Sequence, residues 1–266
     1  MNNKTFIAIV CHKPPDLRQY PACYYKILAG SALNANKKVF QANSDFDYYD
    51  DSFADNISNL NRSFCELTVQ YWMYKNINAD ILGIVHYRRF FKNGELANIN
   101  EILSCEKISL ITSEYDIIVP TKRNYFPFTV YRHYKVQHFS EDIDLLSKII
   151  EELCPDYVSS FKMVMKGHSV HLYNMFIAKR EVFKEYSEWV FPILFRLYNS
   201  SIHNGRDSFQ SRVYGFLGER LFNIWLFHNR THLKIKALPI LSVNVKSQTV
   251  KIVKFLSNFV TRSKAK

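Results

Sequence analysis

The chain has 266 residues, 47% hydrophobic and 22% charged, with only 7 Gly and 8 Pro. This composition excludes collagen-like repeats, a Pro/Gly linker and global disorder, and it supplies enough apolar material for a sizeable core in one large domain or two small ones. Lys and Arg number 35 against 24 Asp and Glu, so the formal charge is +11, a field that favours nucleic acid, anionic lipid or phosphate-bearing ligands without choosing among them.

Cys11, Cys23, Cys65, Cys105 and Cys154 are scattered and form no CxxC pair, which reads as five reduced thiols in a cytoplasmic protein. The apolar run Phe6 to Cys11 is too short for a signal peptide. No run of 18 apolar residues occurs, so no conventional spanning helix is expected.

Phe6 to Cys11 (FIAIVC) is wholly apolar and predicts a central buried strand, ending in a loop at His12 to Pro15. Ligands of open α/β sheets bind at such carboxyl ends. Residues 24 to 36 read as short-range helix at best, and 41 to 62 as a long loop holding Asp45, Asp47, Asp50, Asp51 and Asp55. Phe64, Leu67, Tyr71 and Tyr74 then recur at helical spacing, with Ser63 and Glu66 placed as a capping box. Ile81 to Val85 is a second buried strand, running into His86-Tyr87-Arg88-Arg89. A short helix near 100–110 and a strand from Tyr115 to Val119 follow. Next come the basic aromatic loop TKRNYFPFTVYRHYK, helices near 140–153 and 158–167, and a strand YNMFIA. A helix over 181–198 containing Pro192, one long or two short helices over 206–227, and a late strand over 238–243 complete the pattern. Buried strands alternating with helices predict one α/β domain with a mixed sheet flanked by helices.

The strongest chemical signal is His86 to Arg89, where basic and aromatic groups cluster at a strand end and can stack a planar ring and neutralise a diphosphate. Of the two arginines, Arg88 is the preferred cleft-facing one, since Arg89 is flanked by bulky residues. Asp45-Phe46-Asp47 and Asp142-Ile143-Asp144 each fit Asp-any-Asp, a short motif that holds a divalent ion for nucleotide sugars. The second falls at a helix start, where acids favour the dipole. Asp55 and Asn56 are either turn caps or sugar contacts. Glu219, off the apolar stripe of Leu217, Leu221, Ile224 and Trp225, is the best-placed general base, with Asp207 as its rival. His168 and His171 lack a third metal ligand and read as packing or substrate contacts. No GxGxxG, Walker loop, GxSxG elbow or zinc spacing is present.

The ordered stretches DNISNLNRSFCELTVQYWMYKN and ILGIVHYRRFF closely resemble the signature of the DUF4422 family of bacterial capsule and lipopolysaccharide glycosyltransferases. Further matches are His12 to Pro14, Asn174-Met175-Phe176, the Tyr186 to Leu194 segment, and Arg212 with GFLGERL. The resemblance covers about residues 5 to 245. It implies a GT-A-like fold and transfer of a hexose, galactose in pyranose or furanose form among them, from a UDP-sugar to a lipid-linked or growing surface glycan. The alternative is a non-catalytic nucleotide-sugar or glycan-binding module. The resemblance implies Glu219 as the carboxylate on the helix after the acceptor-side strand, with Asp207 its rival from the residue reading. It implies a donor site drawn from His12, Asp55, Asn56, His86, Tyr87, Arg88, Arg89, Asn174 and Arg212. HYRR occupies the strand end where many GT-A enzymes hold Mn2+ or Mg2+, which leaves metal use open.

The expected organisation is one transferase domain over 1–248 and a basic amphipathic tail over 249–266. The tail carries five cations and no acid, which suits an anionic membrane surface. Nucleic acid is not an expected partner, because the charge is dispersed and no recognition module is present.

Overall fold

The structure, a computed structural model, describes residues 4–12, 20–33, 48–93 and 101–243. Asp45, Asp47 and the tail from Thr249 lie outside the described residues.

A sheet runs through the molecule with strands β1 (Thr5–Cys11), β2 (Tyr24–Leu28), β3 (Tyr49–Asp50), β4 (Ile81–His86), β5 (Arg89–Phe91), β6 (Ile117–Pro120), β9 (Phe176–Lys179), β10 (Ile235–Leu238) and β11 (Ile240–Ser242). Its order is β10-β6-β9-β4-β1-β2-β3, with β5 joining β4 to β11. The strands β2, β1 and β4 are parallel, whereas β9 is antiparallel to both β4 and β6. A separate ribbon pairs β7 (Arg123–Asn124) with β8 (Ser169–Val170). The helices are α1 (Asn61–Phe64), α2 (Leu67–Asn76), α3 (Cys105–Glu114), α4 (Val130–Gln137), α5 (Ser140–Leu153), α6 (Val158–Lys166), α7 (Arg180–Asn199) and α8 (Val213–His228).

The continuous apolar run of β1 follows from cover on both faces. Phe6, Ala8 and Val10 enter the larger core beneath the helices, while Ile7, Ile9 and Cys11 enter a smaller one with Ile108, Phe90 and Leu241. The high aromatic content serves mainly this interior: Trp225, Tyr134, Tyr186, Tyr214 and Phe64 head the fully buried side chains.

Three expectations are corrected. Residues 24–28 form β2 rather than helix, because Ile27 and Leu28 are buried beside β1 and the strand ladder satisfies their backbone. The helix expected from Ser63 is broken at Cys65, whose φ of 54° interrupts α1 and α2. The capping box therefore does not form, and Glu66 is directed elsewhere. Cys23 and Cys105, 82 residues apart, form a disulfide between the entry to β2 and the start of α3. Only folding brings them together, so sequence spacing could not reveal the pair; Cys11, Cys65 and Cys154 are free thiols.

Candidate functional site

The parallel strands β1, β2 and β4 end at one edge, where Val10 is level with His86 and Cys11 with Leu28. The antiparallel β9 begins at that edge, so the preceding Tyr173 and Asn174 also sit there. Both adopt positive φ, 79° and 48°, a conformation that non-glycine residues hold only where surroundings fix it. A cleft of 1390 Å³ opens along this edge, lined among others by His12, Glu66, His86, Arg89, Arg212 and Glu219.

Helix α8 reaches the edge because two of its residues lack side chains. A Cβ on Gly215 would lie 3.2 Å from Cys65 Sγ, and one on Gly218 would lie 3.0 Å from Leu67 Cδ1 and 3.3 Å from Asn174 Oδ1. The glycines of GFLGER therefore permit close approach of α8 to Cys65, α2 and the Tyr173-Asn174 turn.

That approach brings two carboxylates into one site. Glu66 Oε1 accepts a 2.7 Å hydrogen bond from Asn174 Nδ2, which also donates to Gly215 O at 3.0 Å. Glu219 Oε1 accepts from the Tyr173 backbone N–H at 2.8 Å, and its Oε2 from Arg220 Nη1 at 2.8 Å. The Glu219 side chain remains 19% exposed. Desolvation raises the proton affinity of both carboxyls above the ordinary range, and the negative charge of Glu66 raises that of Glu219 further. Such a pair can take up and release a proton.

Cationic groups face them. Arg89 lies over the Tyr173 ring with its Cζ 4.4 Å from the centroid. Arg212 donates from Nε to Cys65 Sγ at 3.1 Å. Burial pushes the Cys65 thiol up to about 12, so it is held as a neutral acceptor and not as a nucleophile. His86 Nε2 donates to Tyr173 O at 2.6 Å. Desolvation lowers its pKa to about 4, with Arg89 pressing the same way. At neutral pH His86 is thus an uncharged imidazole that fixes the Tyr173 turn and leaves Nδ1 as acceptor.

The structure gathers His12, His86, Tyr87, Arg89, Arg212 and Glu219 in the cleft wall, and Asn174 directly behind it. It reverses the choice between the arginines: Arg89 lines the cleft, while Arg88 lies over the Tyr87 ring at 4.8 Å. Position within β5, where Arg89 opposes His86, decides this. Asp207 accepts from Phe209 and Gln210 N–H, both at 2.8 Å, and serves as the cap of a turn. Asp55 and Asn56 resolve as turn residues. Asn56 donates to Ser52 O and Ala54 O and accepts from Ser58 N, and Asp55 accepts from Tyr71 Oη. His171 donates from Nδ1 to the Pro120 backbone carbonyl, and its pKa falls to about 4 through burial.

Sequence reasoning missed Glu66 as a site residue, since the capping-box spacing gave it another employment. It also missed Asp51, a buried carboxylate below the edge. Asp51 accepts from Gly30 N, Ser31 N, Ser31 Oγ, Ser58 Oγ and Thr68 Oγ1 at 2.5–3.0 Å. Gly30 takes a φ of 69° there, with Asn61 packed against the space of a Cβ.

The described residues do not assemble a divalent-cation site: none of their His, Cys, Asp and Glu side chains gather in groups of three with ligand geometry. Glu66 and Glu219 are instead committed to Asn174, Tyr173 and Arg220. Among the described residues no helix is long and apolar enough to cross a membrane.

Comparison with known proteins places this geometry in context. The family described as Domain of unknown function (DUF4422) matches residues 6–230. The apo structure of WbbM, a bifunctional glycosyltransferase, superposes with a TM-score of 0.78 at 28% sequence identity, covering 92% of this chain and 46% of that one. The chain thus spans about half the length of that protein, and its architecture is the GT-A-like α/β fold. No curated protein matches the sequence.

Proposed function

This chain belongs to the DUF4422 family, and on that premise we propose that it is a glycosyltransferase moving a hexose from a UDP-sugar to a lipid-linked or growing surface glycan of the capsule or lipopolysaccharide type. Galactose, as pyranose or furanose, is the first sugar to test. The observation that carries the reading is one sheet edge joining a coupled carboxylate pair, Glu66 and Glu219, to Arg89 and Arg212. Similarity to a glycosyltransferase over 92% of the chain supports the same reading.

In this mechanism Glu219 accepts the proton of the acceptor hydroxyl. The acceptor oxygen then bonds to the anomeric carbon as the bond from that carbon to the phosphate oxygen breaks, and the nucleoside diphosphate leaves with the electron pair. Glu219 suits the role because two donors anchor it while its raised proton affinity makes it a stronger base than a solvated carboxylate. Arg89 and Arg212 neutralise the charge developing on the diphosphate. His86, uncharged, positions the Tyr173 turn instead of binding phosphate by charge. No step here is routed through a metal ion. The basic tail over 249–266 would hold the enzyme at the inner face of the cytoplasmic membrane, beside a lipid-linked acceptor.

The test is release of nucleoside diphosphate from a panel of nucleotide sugars with a lipid-linked acceptor. Release with one donor, dependent on acceptor, supports the proposal. Binding of a nucleotide sugar with no release from any donor would establish the binding-module alternative in its place.

A further inference from the structure

The basic aromatic loop between β6 and α4 takes no part in the mechanism above. Residues 117–140 contain Lys122, Arg123, Arg132 and Lys135 and no Asp or Glu. Residues 157–180 are equally free of acids and contain Lys162, Lys166, Lys179 and Arg180. Folding joins the two stretches: β7 pairs with β8, Tyr125 N donates to His168 O at 2.6 Å, and Val130 N donates to Gly167 O at 2.8 Å. Lys179 and Arg180 are committed to Asp116 and Asp80. Lys122, Arg123, Arg132, Lys162 and Lys166 remain exposed. The neighbouring α5 carries Glu141, Asp144, Glu151 and Glu152, and the last pairs with Arg196.

At the tip of this acid-free module stands Phe126, 74% exposed. Its turn is well fixed. Asn124 Oδ1 accepts from Phe126 N, and Tyr125 O from Phe128 N, both at 2.9 Å. Tyr125 stacks on His133 at 3.6 Å. The backbone is therefore held so that a large apolar ring stands exposed, edge-on to His168 with centroids 5.7 Å apart. A single exposed apolar residue needs no explanation. Its conjunction with five exposed cations and no acid in either stretch does. Phe53 is equally exposed, but it lies two residues from Asp55 and makes no such conjunction.

We propose that the β7–β8 ribbon and the Tyr125–Phe128 turn form a docking surface for an anionic lipid bilayer, with Phe126 entering the interfacial region and Lys122, Arg123, Arg132 and Lys166 facing the headgroups. Charge complementarity selects an anionic surface. The apolar tip selects a bilayer over a soluble polyanion, which offers no place for a phenylalanine ring. The ribbon lies near the cleft, since β8 ends at Val170, three residues before Tyr173 of the cleft wall. Docking here would set the cleft against the membrane independently of the 249–266 tail.

Vesicle sedimentation of the full chain tests this, and it reads binding without any sugar transfer, so its failure is separable from failure of the donor reading. The chain should sediment with phosphatidylglycerol/phosphatidylcholine vesicles and not with phosphatidylcholine alone. The double variant Lys122→Glu/Arg123→Glu should lose about tenfold or more in partitioning. Phe126→Asp should also lose binding, whereas Phe126→Trp should keep it and become quenched by brominated lipid chains beyond the wild-type level. All these positions are exposed, and thermal melts of the variants should match the wild type. A version ending at Gln248 should still bind, and should lose that binding on Lys122→Glu/Arg123→Glu. Three results overturn the proposal: undiminished binding by the double variant, complete loss of binding on removing 249–266, or tighter binding to single-stranded RNA than to the vesicles.

Discussion

Asp51 and the Glu66–Glu219 pair lie close to the same sheet edge, yet they are held in opposite ways. Asp51 is fully buried and its two oxygens accept from five donors on three segments: Gly30 and Ser31 at β2's exit, the Ser58 turn and α2. Glu66 and Glu219 face a cleft, are tied by fewer bonds, and have a raised proton affinity because desolvation outweighs those bonds. A carboxylate saturated with donors is a staple that fixes loops. One held at a few points, beside a like charge and open to a cleft, keeps a proton affinity suited to chemistry. Burial alone therefore does not identify the reactive carboxylate; the donor count around it does.

The contrast can be broken most severely at Asp51. Asp51→Ala strands its buried donors and should destabilise the protein by about 3 kcal/mol or more, read as a lower urea midpoint. A variant as stable as the wild type would remove the staple from the account. At the other carboxylate, Glu219→Gln should keep fold and UDP binding while transfer falls roughly 100-fold or more. Asp207→Asn, whose carboxylate caps a turn, should retain near-normal transfer; the opposite ranking of the two would move the base to Asp207.

A smaller effect separates the arginines. Arg89→Ala and Arg212→Ala should each weaken UDP binding about tenfold while uridine binding hardly changes, the loss expected from one charge-assisted contact to phosphate. Arg88→Ala should leave both unchanged, and calorimetric titration of UDP and uridine against the three variants decides it.

The subtlest prediction concerns stability and pH. Because the folded state holds the Glu66 proton more tightly than the unfolded chain, ionisation at neutral pH opposes folding. Glu66→Gln should therefore melt above the wild type, and the difference should vanish as pH falls below the ordinary carboxylate range. His86 works in the opposite sense. Its folded pKa of about 4 lies below the unfolded value, so the unfolded state binds the extra proton between roughly pH 6.5 and 4. Stability contributed by neutral His86 is complete above that window and lost as pH falls through it. His86→Gln should flatten this part of the melting profile.

Much of the sheet was legible because burial writes itself into residue type. FIAIVC and ILGIV are covered on both faces, and the run of apolar residues shows it directly. The short β2 was not legible, since Tyr24-Tyr25-Lys26 looks neither alternating nor continuous, and its neighbour in the sheet supplies the reason for its conformation. Part of the cleft was also open to sequence reading: His86, Tyr87 and Glu219 follow a strand end or leave a helical stripe. Glu66 was hidden by a local motif that fits helix capping equally well, and the break at Cys65 that frees it is fixed by packing against Gly215.

Sequence alone determined the apolar β1 and β4, the basic charge, the glycines of GFLGER and the order of the family motifs, because each depends on nearest neighbours along the chain or on composition. Tertiary structure decided which arginine enters the cleft, that Glu66 meets Glu219 across 153 positions, that Asp51 is a staple, and that Cys23 meets Cys105. These facts depend on where separate segments converge in space. A hydrogen bond or a carboxylate's proton affinity is set by whatever lies within a few ångströms of it, and that neighbourhood is assembled from residues far apart in sequence.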